Sequence, residues 1–108
     1  MTLRAPAKIN LYLRVLKKRM DGKHPVETIL QTIALYDIIT FRRRADSRIT
    51  VSCHPPLKNT PVHDNLCFKA AHLLRSAVSR RNLGVSISIT KKIPAGAGFG
   101  GGSSDAAT

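Results

Sequence analysis

At 108 residues the chain is long enough for one ordinary domain with a modest core, and its 43% apolar content argues against a disordered protein. Lysine and arginine outnumber acidic residues 18 to 6, and the formal charge of +12 favours anionic partners such as phosphates, nucleotides, RNA or acidic membrane surfaces. No apolar run has the length of a signal peptide or a bilayer span, so we expect a soluble, intracellular protein with no membrane partner.

The first predicted element is a strand that begins at Lys8. Its apolar residues alternate with polar ones, which is the period of a half-buried strand, and they are Ile9, Leu11, Leu13 and Val15. Asp21 and Gly22 then indicate a turn. The segment after that turn, VETILQ at residues 26–31, is expected to form a turn or two of helix.

Two further strands are predicted from β-branched and alternating residues. One covers residues 33–44 and the other residues 48–53, with a turn at residues 45–47 between them. The next ten residues, HPPLKNTPVH, hold three of the six prolines. They are therefore expected to form a loop, because proline interrupts both strand ladders and helices.

The following part of the chain predicts one helix and one more strand. Asp64 is expected to cap the helix, which should end near Asn82 with Gly84 as its stop. One face of this helix is apolar and consists of Leu66, Ala70, Leu73, Leu74, Ala77 and Val78. Residues 85–90 alternate again and predict a strand. This mixture of strands and a helix indicates an α+β domain.

The last sixteen residues, IPAGAGFGGGSSDAAT, hold five of the seven glycines. Glycine loses the most backbone entropy on folding, so such a run indicates close approach to a ligand or dihedrals that other residues avoid. A helix is predicted to begin at residues 103–105, and glycines leading into a helix start are typical of a polyphosphate cradle. A flexible tail and a turn that serves only tight packing are the alternatives.

Three common phosphate-binding motifs do not fit this segment. A Walker loop needs a lysine after its last glycine, whereas a serine follows Gly102. Gly96, Gly98 and Gly101 match G-x-G-x-x-G, but residues 91–95 separate them from the strand, and the sequence ends before the acidic residue of the dinucleotide fingerprint. Protein kinases place their glycines before a V-A-I-K strand, which is not found here.

One family does match the segment. The run P-A-G-A-G-F-G-G-G-S-S-D-A-A resembles the second motif of the GHMP kinases. Four more fragments are similar, in order and spacing, to a branch of that family that phosphorylates a cytidine diphosphate-linked methylerythritol on the non-mevalonate route to isoprenoids. They are A-P-A-K-I-N-L-Y-L-R-V (residues 5–15), D-G-K-H (21–24), E-T-I-L-Q (27–31) and D-N-L (64–66). The resemblance implies an α+β N-terminal domain similar to the second domain of ribosomal protein S5, in a bacterial cytoplasm or a plastid stroma.

The same resemblance implies the cofactors and the site residues. ATP and Mg²⁺ are the expected cofactors, and a nucleotide and a small-molecule substrate are the expected ligands. Lys8 matches the family's catalytic lysine, while Asn10 and His24 match substrate-binding positions and Ser104 is expected to help hold Mg²⁺. The residues expected to wrap the ATP phosphates are Pro94, Ala95, Gly96, Ala97, Gly98, Phe99, Gly100, Gly101, Gly102, Ser103 and Ser104.

The sequence departs from the family's pattern in two ways. The family carries an aromatic residue that stacks on cytosine where this chain has Lys23, and a lost stack weakens binding by about 1–3 kcal/mol. The family's catalytic aspartate lies in a segment after the glycine loop, and Asp105 is not that residue. We therefore expect residues 1–108 to be the truncated N-terminal ATP-binding domain of such a kinase, incomplete and without turnover on its own.

Other interpretations stay open at this point. A basic RNA-binding module on an S5-like fold would suit the charge, although aromatic residues make up only 5% of the chain and no RNA-binding signature occurs. A noncatalytic fragment is the third interpretation. Cys53 and Cys67 share no metal-binding spacing, so they are expected to be reduced thiols in the core.

Overall fold

The computed structural model describes residues 1–57, 60–78 and 82–108. In chain order, its elements are β1 (Thr2–Val15), β2 (Val26–Arg44), β3 (Ile49–His54), a 3-10 turn (Val62–Asp64), α1 (Leu66–Ala77), β4 (Gly84–Thr90) and α2 (Gly101–Ala107). The four strands form one sheet in the order β1-β2-β4-β3, and α1 and α2 pack against each other. Neither helix is long and apolar enough to cross a membrane, within the residues described.

The sheet combines a long hairpin with a crossover unit. β1 and β2 are antiparallel, and the second half of β2, from Ile38 to Arg44, also pairs antiparallel with β4. β3 runs parallel to β4, so the chain must cross the sheet between them, and α1 lies in that connection. This arrangement confirms the predicted α+β class.

The core lies between one face of the sheet and the two helices. Ile39, Ile87 and Ile89 are almost fully buried, and Ala5 and Cys67 complete the buried cluster. Because these residues come from β1, β2, β4 and α1, the cluster ties the crossover unit to the hairpin. Both cysteines are free thiols, as predicted, and burial raises the pKa of Cys67 to about 12.

The outer halves of β1 and β2 form a two-stranded ribbon, here called the outer ribbon, consisting of residues 9–15 and 26–31. Most of its apolar side chains are more than half exposed, including Leu11, Leu13, Val15, Ile29 and Leu30, whereas Ile9 is half-buried. The predicted half-buried strand at residues 9–15 is therefore wrong in its burial. Two causes are visible: the register shifts between Asn10 and Tyr12, which breaks the alternation, and β4 pairs with β2 only from Ile38 onward.

Two predicted element boundaries in the hairpin also change. The segment at residues 26–31, predicted as helix, is the first part of β2, because it pairs residue by residue with β1. The strand predicted to begin at Lys8 begins at Thr2. The turn at Asp21 and Gly22 is confirmed, with Gly22 at φ 80°.

The ends of α1 differ from the prediction. Asn65, not Asp64, caps the helix, and its side chain accepts a hydrogen bond from the Cys67 N–H at 2.9 Å. Asp64 lies one residue earlier, in the 3-10 turn. The described helix ends at Ala77. The predicted end near Asn82 comes after residues 79–81, which lie outside the described residues. Residues 58–59 of the predicted loop also lie outside them. Gly84 is the first residue of β4 rather than a helix stop.

The predicted apolar face of α1 is largely exposed. Only Cys67 is buried in this helix, whereas Leu66, Leu73, Leu74 and Val78 are 48–73% exposed. A cavity of about 920 Å³ separates much of the helix from the sheet, and its described lining includes Phe41, Leu74, Val78, Val85, Ala107 and Thr108. The helix has the predicted amphipathic pattern, but the described chain fills only part of the space beneath it.

A charged pair fixes the turn between β2 and β3. Arg44 Nε and Nη2 donate to the two carboxylate oxygens of Asp46 at 2.6 and 2.7 Å, and the Arg48 N–H donates to the same carboxylate at 3.3 Å. The hydrogen bonds from Arg44 lower the pKa of Asp46 from 3.8 to about 2. A carboxyl group whose pKa is lower in the folded state stabilises the fold above its unfolded pKa and loses that contribution as pH falls.

We therefore expect Asp46→Asn to be less stable than wild type at pH 5, with the difference shrinking as the pH falls from about 4 to about 2. Urea unfolding of both proteins across that range measures the difference. A gap in unfolding free energy that stays constant down to pH 2 would contradict the assigned pair.

Candidate functional site

The glycine segment forms an exposed loop between β4 and α2. Gly96, Gly98 and Gly100 have φ of 73°, 77° and 71°, a region that residues with a Cβ rarely adopt. Residues 94–98 are exposed, and among the described residues no partner accepts a hydrogen bond from the N–H groups of residues 95–100. The loop therefore presents several free backbone donors to solvent, which is the arrangement that binds anions in backbone concavities.

Lys8 lies directly against this loop. Its N–H donates to the Phe99 carbonyl at 3.0 Å, and its side-chain carbons pack so close to Gly100 that a Cβ there would meet two of them at 3.2 Å. Its Nζ donates to Asn10 Oδ1 at 3.2 Å. The structure thus brings Lys8, Asn10 and the loop together.

The geometry of β1 explains how Lys8 reaches the loop. The pairing of β1 with β2 shifts register just before Lys8, between Pro6 and Ala7, and again after Asn10. Such irregularities bend a strand and re-aim its side chains. The short stretch that carries Lys8 and Asn10 is thereby set apart from the regular strand on either side.

Helix α2 begins earlier than predicted. It starts at Gly101, with Gly100 as its N-cap residue, rather than at Ser103. A Cβ on Gly101 would lie 2.8 Å from Ile93 Cγ2, so this glycine allows the helix start to pack tightly on the chain that enters the loop. Ser103 is exposed and Ser104 is half-buried in the first turn.

His24 lies apart from these residues. Its Nδ1 is 3.2 Å from the carbonyl oxygen of Leu16, at the turn end of the outer ribbon. Leu16 is eight residues beyond Lys8, which corresponds to about 26 Å along an extended strand. Lys23 lies in the same turn, where its N–H donates to Asp21 Oδ1 at 3.1 Å. The structure therefore does not bring His24 to the loop.

A second cavity of about 410 Å³ adjoins the entrance of the loop. Its described lining is mostly apolar and includes Pro55, Pro56, Leu57, Ile93 and Pro94, with Lys92 at its edge. The acidic, histidine and cysteine side chains of the described residues form no group of three or more suited to a metal ion.

Three buried charged side chains lie beside the loop. Lys91 Nζ is 2.5 Å from Asp37 Oδ2 and 2.7 Å from Asp105 Oδ2, and the exposed fractions of the three side chains are 9%, 0% and 4%. Burial alone raises the pKa of Asp37, but hydrogen bonds from Lys91 and from the Ile93 and Lys92 N–H groups outweigh it and lower that pKa. Burial raises the pKa of Asp105 despite its hydrogen bond from Lys91.

Comparison with known proteins shows which proteins this chain resembles. A solved structure described as 4-(cytidine 5'-diphospho)-2C-methyl-D-erythritol kinase superposes on 99% of this chain with a TM-score of 0.83 and 36% identity. Curated relatives named 4-diphosphocytidyl-2-C-methyl-D-erythritol kinase are 47% identical over 107 residues in Synechococcus sp. (strain CC9902) and 44% identical over 115 residues in Hahella chejuensis. Residues 65–108 match the family model of the GHMP kinases N terminal domain. The chain is thus similar to the GHMP kinases over residues 65–108 and to 4-diphosphocytidyl-2-C-methyl-D-erythritol kinases over nearly its whole length.

The extent of the match defines which part of a GHMP kinase this chain resembles. The alignments cover 99% and 100% of this chain but only 34% and 38% of the two relatives, and 37% of the solved structure. The chain thus spans about a third of the length of the curated relatives it matches. The predicted resemblance to the GHMP kinases and the predicted fold of their N-terminal domain are both confirmed.

The sequence did not predict the buried cluster of Asp37, Lys91 and Asp105, which lies beside the glycine loop. One signal was present. Asp37 interrupts the apolar and β-branched run from Ile33 to Phe41, and an acid in a buried strand needs a partner. The identity of that partner depends on the pairing of β2 with β4, which the sequence pattern does not specify.

Proposed function

We propose that this chain is the ATP-binding part of a kinase that transfers the γ-phosphoryl group of ATP to the 2-hydroxyl of 4-diphosphocytidyl-2-C-methyl-D-erythritol. The observation that carries the proposal is the exposed loop with three glycines at positive φ, free N–H groups and Lys8 beside it. The names of the relatives supply the acceptor. Phosphoryl transfer depends mainly on positioning and on neutralising charge, and the loop and Lys8 can do both.

In this proposal residues 94–104 wrap the ATP phosphates. The free N–H groups of residues 95–100 donate to phosphate oxygens, and the small glycine residues let those oxygens approach the backbone. The apolar cavity beside Pro94 offers a site for the adenine ring. Lys8 then lies at the far side of the loop, where its ammonium group stabilises negative charge on the transferring phosphoryl group.

A Mg²⁺ ion fits this donor set. Ser104 offers a hydroxyl oxygen in the first turn of α2, and Mg²⁺ in phosphate sites takes one or two protein ligands, completing its shell with phosphate oxygens and water. When bound, the ion would neutralise phosphate charge. The chain's own part is to hold the phosphates through the loop and to supply Lys8 from β1.

The acceptor would lie along the outer ribbon. Asn10 is within hydrogen-bond distance of Lys8, so a hydroxyl held by Asn10 faces the ammonium group. His24 stays the cytosine contact that the family resemblance predicts, although its bond to Leu16 places it at the turn end of the ribbon, away from Lys8. Lys23 replaces the family's stacking aromatic, so we expect this chain to bind the cytidine more weakly than a relative that keeps the aromatic residue.

No described carboxylate is available as a base at the outer face of the loop. Asp37 and Asp105 are both buried against Lys91. In the family the catalytic aspartate belongs to a later segment. We therefore propose that residues 1–108 bind ATP as an incomplete N-terminal domain and do not transfer phosphate on their own.

A valine at Gly98 tests the phosphate-binding loop. Gly98 has φ 77°, and a β-branched residue in that region costs about 1–2 kcal/mol, so the loop must change shape. We expect Gly98→Val to weaken ATP binding by about tenfold or more, which corresponds to 1.4 kcal/mol. Isothermal titration of the chain with ATP measures the effect.

Gly22→Val is the matched control. Gly22 has nearly the same backbone conformation, with φ 80°, but lies in the β1–β2 turn. It should suffer similar strain without changing the affinity for ATP. Equal, strong binding by wild type and Gly98→Val, or equal losses in the two variants, would count against the loop as the phosphate site.

A further inference from the structure

The buried cluster joins three separate elements at the glycine loop. Asp37 belongs to β2, Lys91 directly follows β4, and Asp105 belongs to α2. A single ammonium group therefore holds a carboxylate from the centre of the sheet and a carboxylate from the helix that follows the loop. The cluster also touches the start of that helix, since a Cβ on Gly101 would lie 3.4 Å from Lys91 Nζ.

Both ends of the loop are attached to this cluster. At the entrance, Asp37 Oδ1 accepts hydrogen bonds from the N–H groups of Lys92 and Ile93 at 2.5 and 2.9 Å. At the exit, Asp105 is bound to Lys91 four residues after the start of α2. The distance between the two ends is thereby set by side chains that are almost completely buried.

The loop itself has little to hold it in one conformation. Between residues 94 and 99 the described chain provides one backbone hydrogen bond to the rest of the fold, from the Lys8 N–H to the Phe99 carbonyl. Ordering each backbone residue costs roughly 1–2 kcal/mol, and glycine loses the most. The order of the loop must therefore be imposed largely from its ends.

A gain in the stability of the fold is a weak explanation for a buried cluster of charges. Replacing a buried ion pair by apolar side chains of similar size is often neutral or stabilising, because desolvating the charges offsets their attraction. Buried ion pairs are better attested as groups that fix one conformation. In this fold the conformation that the cluster can fix is that of the glycine loop.

We infer that Asp37, Lys91 and Asp105 are positioning residues that hold the glycine loop in the shape that receives the phosphates. The nucleotide part of this inference rests on the proposed function, whereas the ordering of the loop does not depend on it.

Asp105 is the member of the cluster best suited to a test. Asp37 also accepts two backbone hydrogen bonds, so its removal would disturb several contacts at once. Asp105 accepts one hydrogen bond, from Lys91, and its Oδ1 is buried without a partner among the described residues. An asparagine at this position keeps an acceptor for Lys91 and loses the charge, whereas an alanine loses both.

The experiment compares Asp105→Ala with Asp105→Asn. Both variants remove the same negative charge, so a purely electrostatic effect would change the dissociation constant for ATP equally in the two. Positioning predicts that Asp105→Ala raises the dissociation constant for ATP about tenfold, while Asp105→Asn stays within about twofold of wild type. The hydrogen-bonded amides around the loop are those of Lys8, Ile93 and Ser104, and their exchange with solvent, here called loop exchange, reports how firmly the loop is held. Without nucleotide, loop exchange should be about tenfold faster in Asp105→Ala alone.

The outcomes separate this inference from the proposed function. Equal loop exchange in wild type and both variants would overturn the inference, as would equal changes in ATP affinity in the two variants. If wild type binds no ATP but the loop exchanges faster only in Asp105→Ala, the proposed function fails and the positioning role stands. If circular dichroism shows that Asp105→Ala does not fold, Asp105→Ser replaces it, because its shorter side chain also loses the contact with Lys91.

Discussion

Gly84→Ala is expected to destabilise the fold by at least the upper end of the ~1–3 kcal/mol that overpacking a core normally costs. A Cβ on Gly84 would lie 2.9 Å from the Arg48 carbonyl oxygen and far inside van der Waals contact with the carbonyl oxygen of Asp46. Both neighbours are backbone atoms of the turn between β2 and β3, so no side chain can move aside. The start of β4 would have to separate from that turn, which the Arg44–Asp46 pair holds in place.

Gly102→Ala is the control for this substitution. A Cβ on Gly102 would lie 3.6 Å from Leu66 Cδ1, which is an ordinary contact, and alanine is the better helix former by about 0.5–1 kcal/mol. Urea unfolding at neutral pH should therefore give a large loss for Gly84→Ala and no loss for Gly102→Ala. Similar stabilities for wild type and Gly84→Ala would contradict the close approach of β4 to the turn.

Lys91→Met is expected to cost about 3–5 kcal/mol of unfolding free energy. Methionine has nearly the shape of the lysine stem, so the effect comes from the lost charge rather than from a cavity. Without the ammonium group, Asp37 and Asp105 remain buried next to each other with no cation between them. Chemical denaturation at pH 7 measures the loss.

A matched substitution on the surface separates burial from charge. Lys69→Met removes an ion pair of 3.2 Å with Asp64, but both side chains are 52% exposed. Pairs of this kind contribute about 0–1 kcal/mol, so this variant should remain close to wild type. Equal losses in the two variants would mean that Lys91 is not the centre of a buried cluster.

The sequence predicted the local features of the site well. The glycine loop and its resemblance to the GHMP kinase motif follow from residues 94–107, and the strand before the loop follows from the alternation at residues 85–90, because turn and strand signals are local. Contact between Lys8 and the loop was expected from family resemblance. The hydrogen bond from Lys8 to Phe99 agrees with that expectation, while the catalytic role of Lys8 stays a prediction.

Features that depend on pairing between distant segments were predicted poorly. VETILQ was expected to be helical because six residues do not distinguish a short helix from a strand. Its pairing with residues 9–15 makes it a strand. The helix cap was assigned to Asp64 instead of Asn65, although both residue types are good caps. Asp37 lies 54 positions before Lys91, so no local pattern identifies Lys91 as the partner of this buried acid.

The outer ribbon also affects how the molecule behaves among its own copies. Its leucine, isoleucine and valine side chains face water, while the chain as a whole carries a formal charge of +12. Repulsion between like-charged molecules keeps such ribbons apart at low salt, and about 0.1 M salt shortens the reach of that repulsion to about 10 Å. We therefore expect ionic strength to set the balance between separate molecules and molecules that aggregate through the outer ribbon.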